Sequence, residues 1–378
     1  MLLICAGLFA QSLRRVEALD LGLDVDRTLI AKIDLGGTTL PREEVKSVYK
    51  AMLERVLALD GVAHAALAEH DPYRFGRAVG AHTPTRSPES LWHDEVLHVP
   101  MEAAVDSGFF RAIGATSLRG RDFQGTDRRG APRVAIINEP LAKLLWPGAE
   151  PLGQCMLITW EGGDCVTVVG VLTGFWKWSI LERDNLVVYV PMAQSDRFVR
   201  VGSMFIAARG DVEVVARDVR QAIQGVRPDL PAISVVPMRE VLAPQLGPWQ
   251  LAATMFMIFG GIALVIAAIG LYGVVAFAVA QRAPEIAIRI ALGARAGHVL
   301  RVVARDGLSA VAAGLAVGGL VALGARRWLG PLLFQTSPSD PWIIAGVGML
   351  LLAVATAASL IPTVQAVRRN PATVLRVG

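Results

Sequence analysis

Glu285 and Arg289 stand four residues apart in QRAPEIAIRIALGARAGH (281–298), a basic, helix-prone segment. Pro284 can open a helix there, because the N–H it lacks is unsatisfied at that position anyway. Glu285 and Arg289, at i and i+4, would stabilise such a helix slightly, and Gly293 would end it. IAIRIAL also alternates with period two, so its spacing alone leaves helix and strand open. Residues that could make or break bonds are scarcer. A phosphate-binding loop needs Gly-Lys-Ser/Thr after a glycine-rich turn; the chain has no Gly-Lys dipeptide, and its five lysines all precede residue 178. His93 and His98 lie five apart in HDEVLH with Glu95 off the zinc-protease spacing, so a solvated strand or loop competes with a metal site. There is no G-x-S-x-G elbow. An oxidising compartment would allow Cys155 and Cys165 to pair, whereas a hairpin turning near Gly162 would not set them face to face.

The elements that must position these residues are dominated by one run. Residues 251–280, LAATMFMIFGGIALVIAAIGLYGVVAFAVA, contain no charge, and ~20 apolar residues suffice to cross the hydrocarbon of a bilayer. The next segment cannot remain in lipid, since it carries Arg282, Glu285, Arg289 and Arg295. Further apolar runs cover 307–325 and 342–367, with Trp342 placed as an interfacial anchor. The N-terminal MLLICAGLFA is too short to span alone and lacks the basic start and cleavage site of a signal peptide. It reads as the tail of a first membrane helix, over 1–15. The spans lack central acids and bases, which argues against ion-coupled transport. Gly314 and Gly318 form a small-xxx-small pattern for helix packing.

Arginine asymmetry sets orientation. Arg282, Arg289, Arg295, Arg301 and Arg305 follow the first complete span, and Arg368, Arg369 and Arg376 follow the last. Positive-inside counting places both in the cytoplasm, against Arg14 and Arg15 on the other side. Residues 16–245 are then extracytoplasmic. They read as mixed α+β: helical spacing in 43–59, with Val48, Met52, Val56 and Leu59, and in GVAHAALAEH (61–70). A strand runs into a helix in RVAIINEPLAKLLWPG with Asn138 as N-cap, CMLITWEGGDCVTVVGVL forms a hairpin, NLVVYVPM is a strand and 80–92 is a loop. The strict βαβ rhythm of a dinucleotide fold is absent. A net charge of +4 without a basic stripe interleaved with aromatics gives no support to nucleic-acid binding.

Read together, these segments resemble the MacB/FtsX-type ABC transporter permeases. QRAPEIAIRIALGA (281–294) is similar to the family's cytoplasmic motif, and AVRRNPATVLR (366–376) to its ending. FFRAIGATSLRGRDF (109–123), VAIINE (134–139), WPGAEPLG (146–153) and VYVP (188–191) are similar to the MacB-like periplasmic core domain. The match is closest to one half of a duplicated permease. Pro284 stands where the family usually has a polar or basic residue, and Thr363-Val364-Gln365 replaces Ala-Arg-Arg.

The resemblance implies an α+β extracytoplasmic domain at 16–245 and an α-helical transmembrane bundle at 250–378, with three complete spans and a truncated N-terminal one. It implies an inner-membrane, multi-pass protein that is not itself an enzyme and holds no cofactor or metal. A cytoplasmic ABC ATPase would couple through Pro284, Glu285, Ile286, Arg289, Leu292 and Gly293. The other expected partners are a second permease half, a periplasmic adaptor and membrane lipid. The expected function is export of peptides, antibiotics or lipids. A regulator that switches on a cell-wall hydrolase and an inactive half-permease are the alternatives.

Overall fold

Alternating apolar residues and two amphipathic helices build the larger part of the molecule. The computed structural model describes residues 2–18, 22–35, 40–69, 77–84, 100–115, 118–158, 164–172, 186–195, 201–229, 233–281 and 340–367, with the shorter pieces 313–314, 316–321, 324, 327, 333 and 336–337. Two units emerge: 20–245, and 1–19 together with 246–378. The helical unit begins with α1 (Leu2–Glu17). The sheet unit follows with β1 (Thr28–Asp34), α2 (Arg42–Leu57), β2 (Val62–Ala68), β3 (Arg77–Ala78), β4 (Ala81–His82), β5 (Met101–Val105), α3 (Phe109–Ala112) and β6 (Leu118–Gly120). It continues through β7 (Val134–Asn138), α4 (Glu139–Leu145), β8 (Cys155–Ile158), β9 (Cys165–Leu172), β10 (Val187–Pro191), β11 (Val201–Ala208), α5 (Val212–Gln224) and β12 (Ser234–Pro237). The long α6 (Met238–Gln281) and then α7 (Pro341–Val367) complete the described elements.

All twelve described strands share one sheet, ordered β12-β1-β11-β2-β5-β10-β7-β9-β8-β4, with β3 on β5 and β6 on β9. At one end, β1 is antiparallel to both β12 and β11, and β2 is antiparallel to β11. Strands β1 and β2 are therefore parallel, joined by α2 and separated by β11; β11 and β12 repeat the device through α5. These are two interleaved split βαβ units. Their core explains the spacing: Val45, Val48, Met52 and Val56 of α2 and Val215, Val219 and Ile223 of α5 lie against Leu29, Ala31 and Ile33 of β1 and Met204 and Ile206 of β11. Asp211 caps α5, accepting from the N–H groups of Glu213 (2.9 Å) and Val214 (3.1 Å).

The stretch 69–200 is inserted between β2 and β11 and extends the sheet. Ala135 and Ile137 of β7, Val166 and Val168 of β9 and Val188 and Val190 of β10 form a second core under Leu141 and Leu145 of α4. Among the described residues, the sheet joins its two halves at one β2–β5 pair, Ala68–Val105. The four-residue α3 rivets them: Phe109 packs edge-on to Phe205 of β11, ring centroids 5.1 Å apart, and Phe110 edge-on to Tyr189 of β10 at 5.2 Å.

Three expectations are corrected. GVAHAALAEH is not a helix; Val62–Ala68 is the strand β2, buried between β11 and β5. A run apolar on both faces carries no period-two signal, and its alanines mimicked helical spacing. Within the expected loop 80–92, Ala81–His82 pairs with β8. Cys155 and Cys165 form a disulfide. They are diagonal neighbours, with Cys155 opposite Thr167 and Cys165 opposite Leu157, and the twist of an antiparallel pair closes one diagonal, here to a Cα separation of 5.4 Å.

In the helical unit, α6 starts at Met238 rather than 251 and passes through Pro244 and Pro248. Two described helices are long and apolar enough to cross a membrane, within Met238–Ala278 and Pro341–Ala358. The expected span 307–325 is described only at 313–314, 316–321 and 324, where it is helical.

Asn138 joins the layers of the second half. It is buried, and its Oδ1 accepts from Leu141 N (3.3 Å), capping α4, and from Val187 N (3.1 Å) of β10. Asn138→Ala is expected to cost about 2–3 kcal/mol, a lost cap plus a stranded N–H. Urea unfolding of the detergent-solubilised chain checks this; a loss near zero would contradict it.

Candidate functional site

The six residues expected to couple to an ATPase, Pro284, Glu285, Ile286, Arg289, Leu292 and Gly293, lie outside the described residues, as do His93 and His98. The helix that leads to the coupling segment is described to Gln281. Its apolar side chains stand exposed: Val265, Ile266, Ile269, Val274 and Phe277 each leave more than half their surface uncovered. Exposed hydrophobic surface on this scale suits contact with lipid.

Gly314 and Gly318 line an apolar cavity of about 390 Å³ with Leu2, Gly260, Leu264 and Val347. A Cβ at Gly314 would meet nothing within 4 Å. Close helix approach occurs instead at two glycines that the sequence reading passed over. A Cβ on Gly7 of α1 would stand 2.8 Å from Ile343 Cγ2, and one on Gly260 of α6 would stand 3.1 Å from Leu3. Phe9 stacks on Phe256 with centroids 5.2 Å apart, and Ile4, Leu8, Trp249, Ala253 and Leu333 complete a small core. Short as it is, α1 therefore packs as a true member of the helical unit. At its far end, Gln11 Nε2 donates to Asp340 Oδ2 (3.2 Å), while Asp340 Oδ1 caps α7 through Trp342 N (3.0 Å). Gly7 inside an apolar run was the available signal; its partner Ile343 is over 300 positions away.

The polar clusters of the sheet unit are structural. Arg121 donates twice to Asp127, at 2.7 and 3.0 Å, and Gln124 N donates to Asp127 at 2.8 Å, closing the turn after β6. The Arg121 hydrogen bonds hold the Asp127 carboxyl below the usual carboxylate range, against the opposing effect of burial. Burial pushes neighbouring Asp122 the other way, as it does Asp106 at the end of β5. Arg227 draws Asp229 down to about 2 by direct hydrogen bonding at the surface. Among the described residues no group of three or more His, Cys, Asp or Glu could hold a metal ion. No nucleophile stands beside a general base in these clusters.

Two exposed apolar helices long enough to cross a membrane, beside a folded, disulfide-bearing sheet unit, are the features to set against known proteins. Residues 34–226 match the MacB-like periplasmic core domain and residues 257–371 the FtsX-like permease C-terminal domain. The chain belongs to the MacB/FtsX-type ABC transporter permease family. It is 23% identical over 304 residues to the ABC transporter permease YknZ of Bacillus subtilis, covering 77% of this chain and 73% of that one. It is 24% identical to the macrolide export ATP-binding/permease protein MacB of Marinobacter nauticus over 58% of this chain. Only 36% of that protein's length is covered, so this chain spans about a third of it. The periplasmic region of MacB from Actinobacillus actinomycetemcomitans overlays 58% of this chain and 92% of that one at 11% identity, with a TM-score of 0.39.

Two outcomes follow from the polar groups. With its folded value below the unfolded one of ~3.9, Asp127 contributes stability that is complete above about pH 4 and lost as pH falls below it. Asp127→Asn should lower stability at pH 7 by about 1–3 kcal/mol, and the gap to the unsubstituted chain should narrow below pH 4; an equal gap at pH 3 and pH 7 would refute the assignment. Tyr189 is fully enclosed, and among the described residues its hydroxyl has no hydrogen-bond partner. Tyr189→Phe should leave stability unchanged or raise it by about 1 kcal/mol; a thermal melt showing a clear fall would expose a missed partner.

Proposed function

We propose that this chain is the transmembrane permease part of a MacB-type ABC transporter. Its helices carry the motion of a cytoplasmic ATPase to an extracytoplasmic domain that serves export of peptides, antibiotics or lipids. The observation that carries the reading is the order of matches along one chain: a periplasmic core domain at 34–226, the apolar α6 from Met238 to Gln281, and a permease C-terminal domain at 257–371. None of the 378 residues forms a Gly-Lys dipeptide, so ATP hydrolysis belongs to a domain or subunit outside them. Pro284, Glu285, Ile286, Arg289, Leu292 and Gly293 are the proposed docking segment, following directly on α6. Gly314 and Gly318 are proposed to serve helix packing, with a second permease half, a periplasmic adaptor and membrane lipid as the remaining partners.

The Cys155–Cys165 bond supports an extracytoplasmic sheet unit, because disulfides persist in oxidising compartments. Eight arginines on the cytoplasmic side agree by the positive-inside rule.

Reversing both charges, Glu285→Arg with Arg289→Glu, should abolish stimulation of the partner ATPase while leaving the chain folded; full stimulation in this double variant would sink the docking assignment. In intact spheroplasts, a membrane-impermeant maleimide should label Cys155 and Cys165 only after reduction. Labelling that requires the membrane to be broken would reverse the orientation.

A further inference from the structure

The two chain connections of the sheet unit leave it side by side. Leu29 of β1 pairs with Pro237 of β12, so the incoming chain before Thr28 and the outgoing helix from Met238 lie at one end of adjacent antiparallel strands. The outgoing turn is tied down by Arg239 Nη2, which donates to Glu213 Oε1 of α5 at 2.7 Å. The incoming segment is held differently. Asp24 N donates to Ile113 O (3.1 Å), the Thr28 hydroxyl donates to Asp24 O (2.5 Å), and Asp24 Oδ1 accepts from Arg27 N (3.1 Å).

Gly114 makes this approach feasible. It sits at φ +68°, and a Cβ there would stand 2.8 Å from Asp24 Cβ and 3.2 Å from Asp24 N. The second of these is backbone, so the incoming segment itself would have to move. Residue 114 follows α3, whose Phe109 and Phe110 rivet the two halves of the sheet through Phe205 and Tyr189. Asp24 and the residues up to β1 are thus fixed to the junction of the domain, next to the strand from which α6 departs.

We propose that Gly114 and Asp24 are positioning residues for coupling: their contact holds the incoming segment beside the outgoing helix, so that both connections act on the sheet as one. The inference rests on the coupling function proposed above. Motion reaching only the β12–α6 side would load a four-residue edge strand; motion shared with the incoming segment also loads α3 and both cores.

The test uses the full chain in nanodiscs with the ATPase that co-purifies with it, and reads trypsin cleavage after the exposed Arg27 with and without Mg-ATP. Gly130 is the control: at φ +87° it has nothing within 4 Å of a Cβ, so Gly130→Ala carries the left-handed backbone cost without a clash. Gly114→Ala should lose the ATP-dependent change in cleavage, and Gly130→Ala should keep it. If Gly114→Ala fails to fold, Asp24→Pro, which removes the N–H donated to Ile113, should show the same loss. An unaltered response in Gly114→Ala, or an equal loss in Gly130→Ala, would overturn the inference alone. Absence of any ATP-dependent change in the unsubstituted chain, or of a co-purifying ATPase, would overturn the coupling reading beneath it.

Discussion

Hydrocarbon solvates no charge, and the thirty uncharged residues at 251–280 have no other suitable solvent. Everything else in the molecule follows from that demand. Charge of this kind is costly in lipid, so the arginines that follow Gln281 in the sequence carry the proposed direction. On the proposed topology, the sheet unit before Met238 folds in water, and helix caps such as Asn138 and Asp211 serve its polar backbone there. Its disulfide belongs to the same setting. The run at 251–280 carries no Asp, Glu, His, Lys or Arg, the side chains that mark ion pathways within a membrane.

The sheet unit shows how a domain can grow without losing cohesion. Two split βαβ units give one end a core with helices on one face, and a larger insertion lengthens the same sheet. Among the described residues, one backbone pair, Ala68–Val105, forms the seam between them. Cohesion across it comes from α3, whose two phenylalanines reach into both halves. Four residues are too few for a stable isolated helix; α3 exists because Phe109 and Phe110 are buried, not because its sequence favours it. The chain then turns at Gly114 against Asp24, which gives that short element a second task.

Legibility in the sequence tracked how local the determining physics was. Helix α2 was readable because one face alone is buried, so Val48, Met52 and Val56 recur at helical spacing. The β7–α4 passage was readable because Asn138 caps a helix three residues on. Strand β2 was misread because burial on both faces erases its alternation. The start of α6 was misplaced because Pro244 and Pro248 signal a linker, whereas the helix continues through both. The pairing of Cys155 with Cys165 depended on strand twist, and the Gly7–Ile343 contact on a partner far along the chain; neither is a property of a short window. Family membership, by contrast, was legible from several short motifs in the right order.

The central claim is that this chain is driven by an ATPase that it does not itself contain. The most direct measurement is recovery of the tagged chain from native membranes in mild detergent, with mass spectrometry of its partners and ATP turnover of the recovered complex. The account predicts one ABC ATPase bearing a phosphate-binding loop, with turnover that falls when this chain is removed. A well-folded preparation with no ATPase bound, or an ATPase whose turnover is indifferent to this chain, would contradict it.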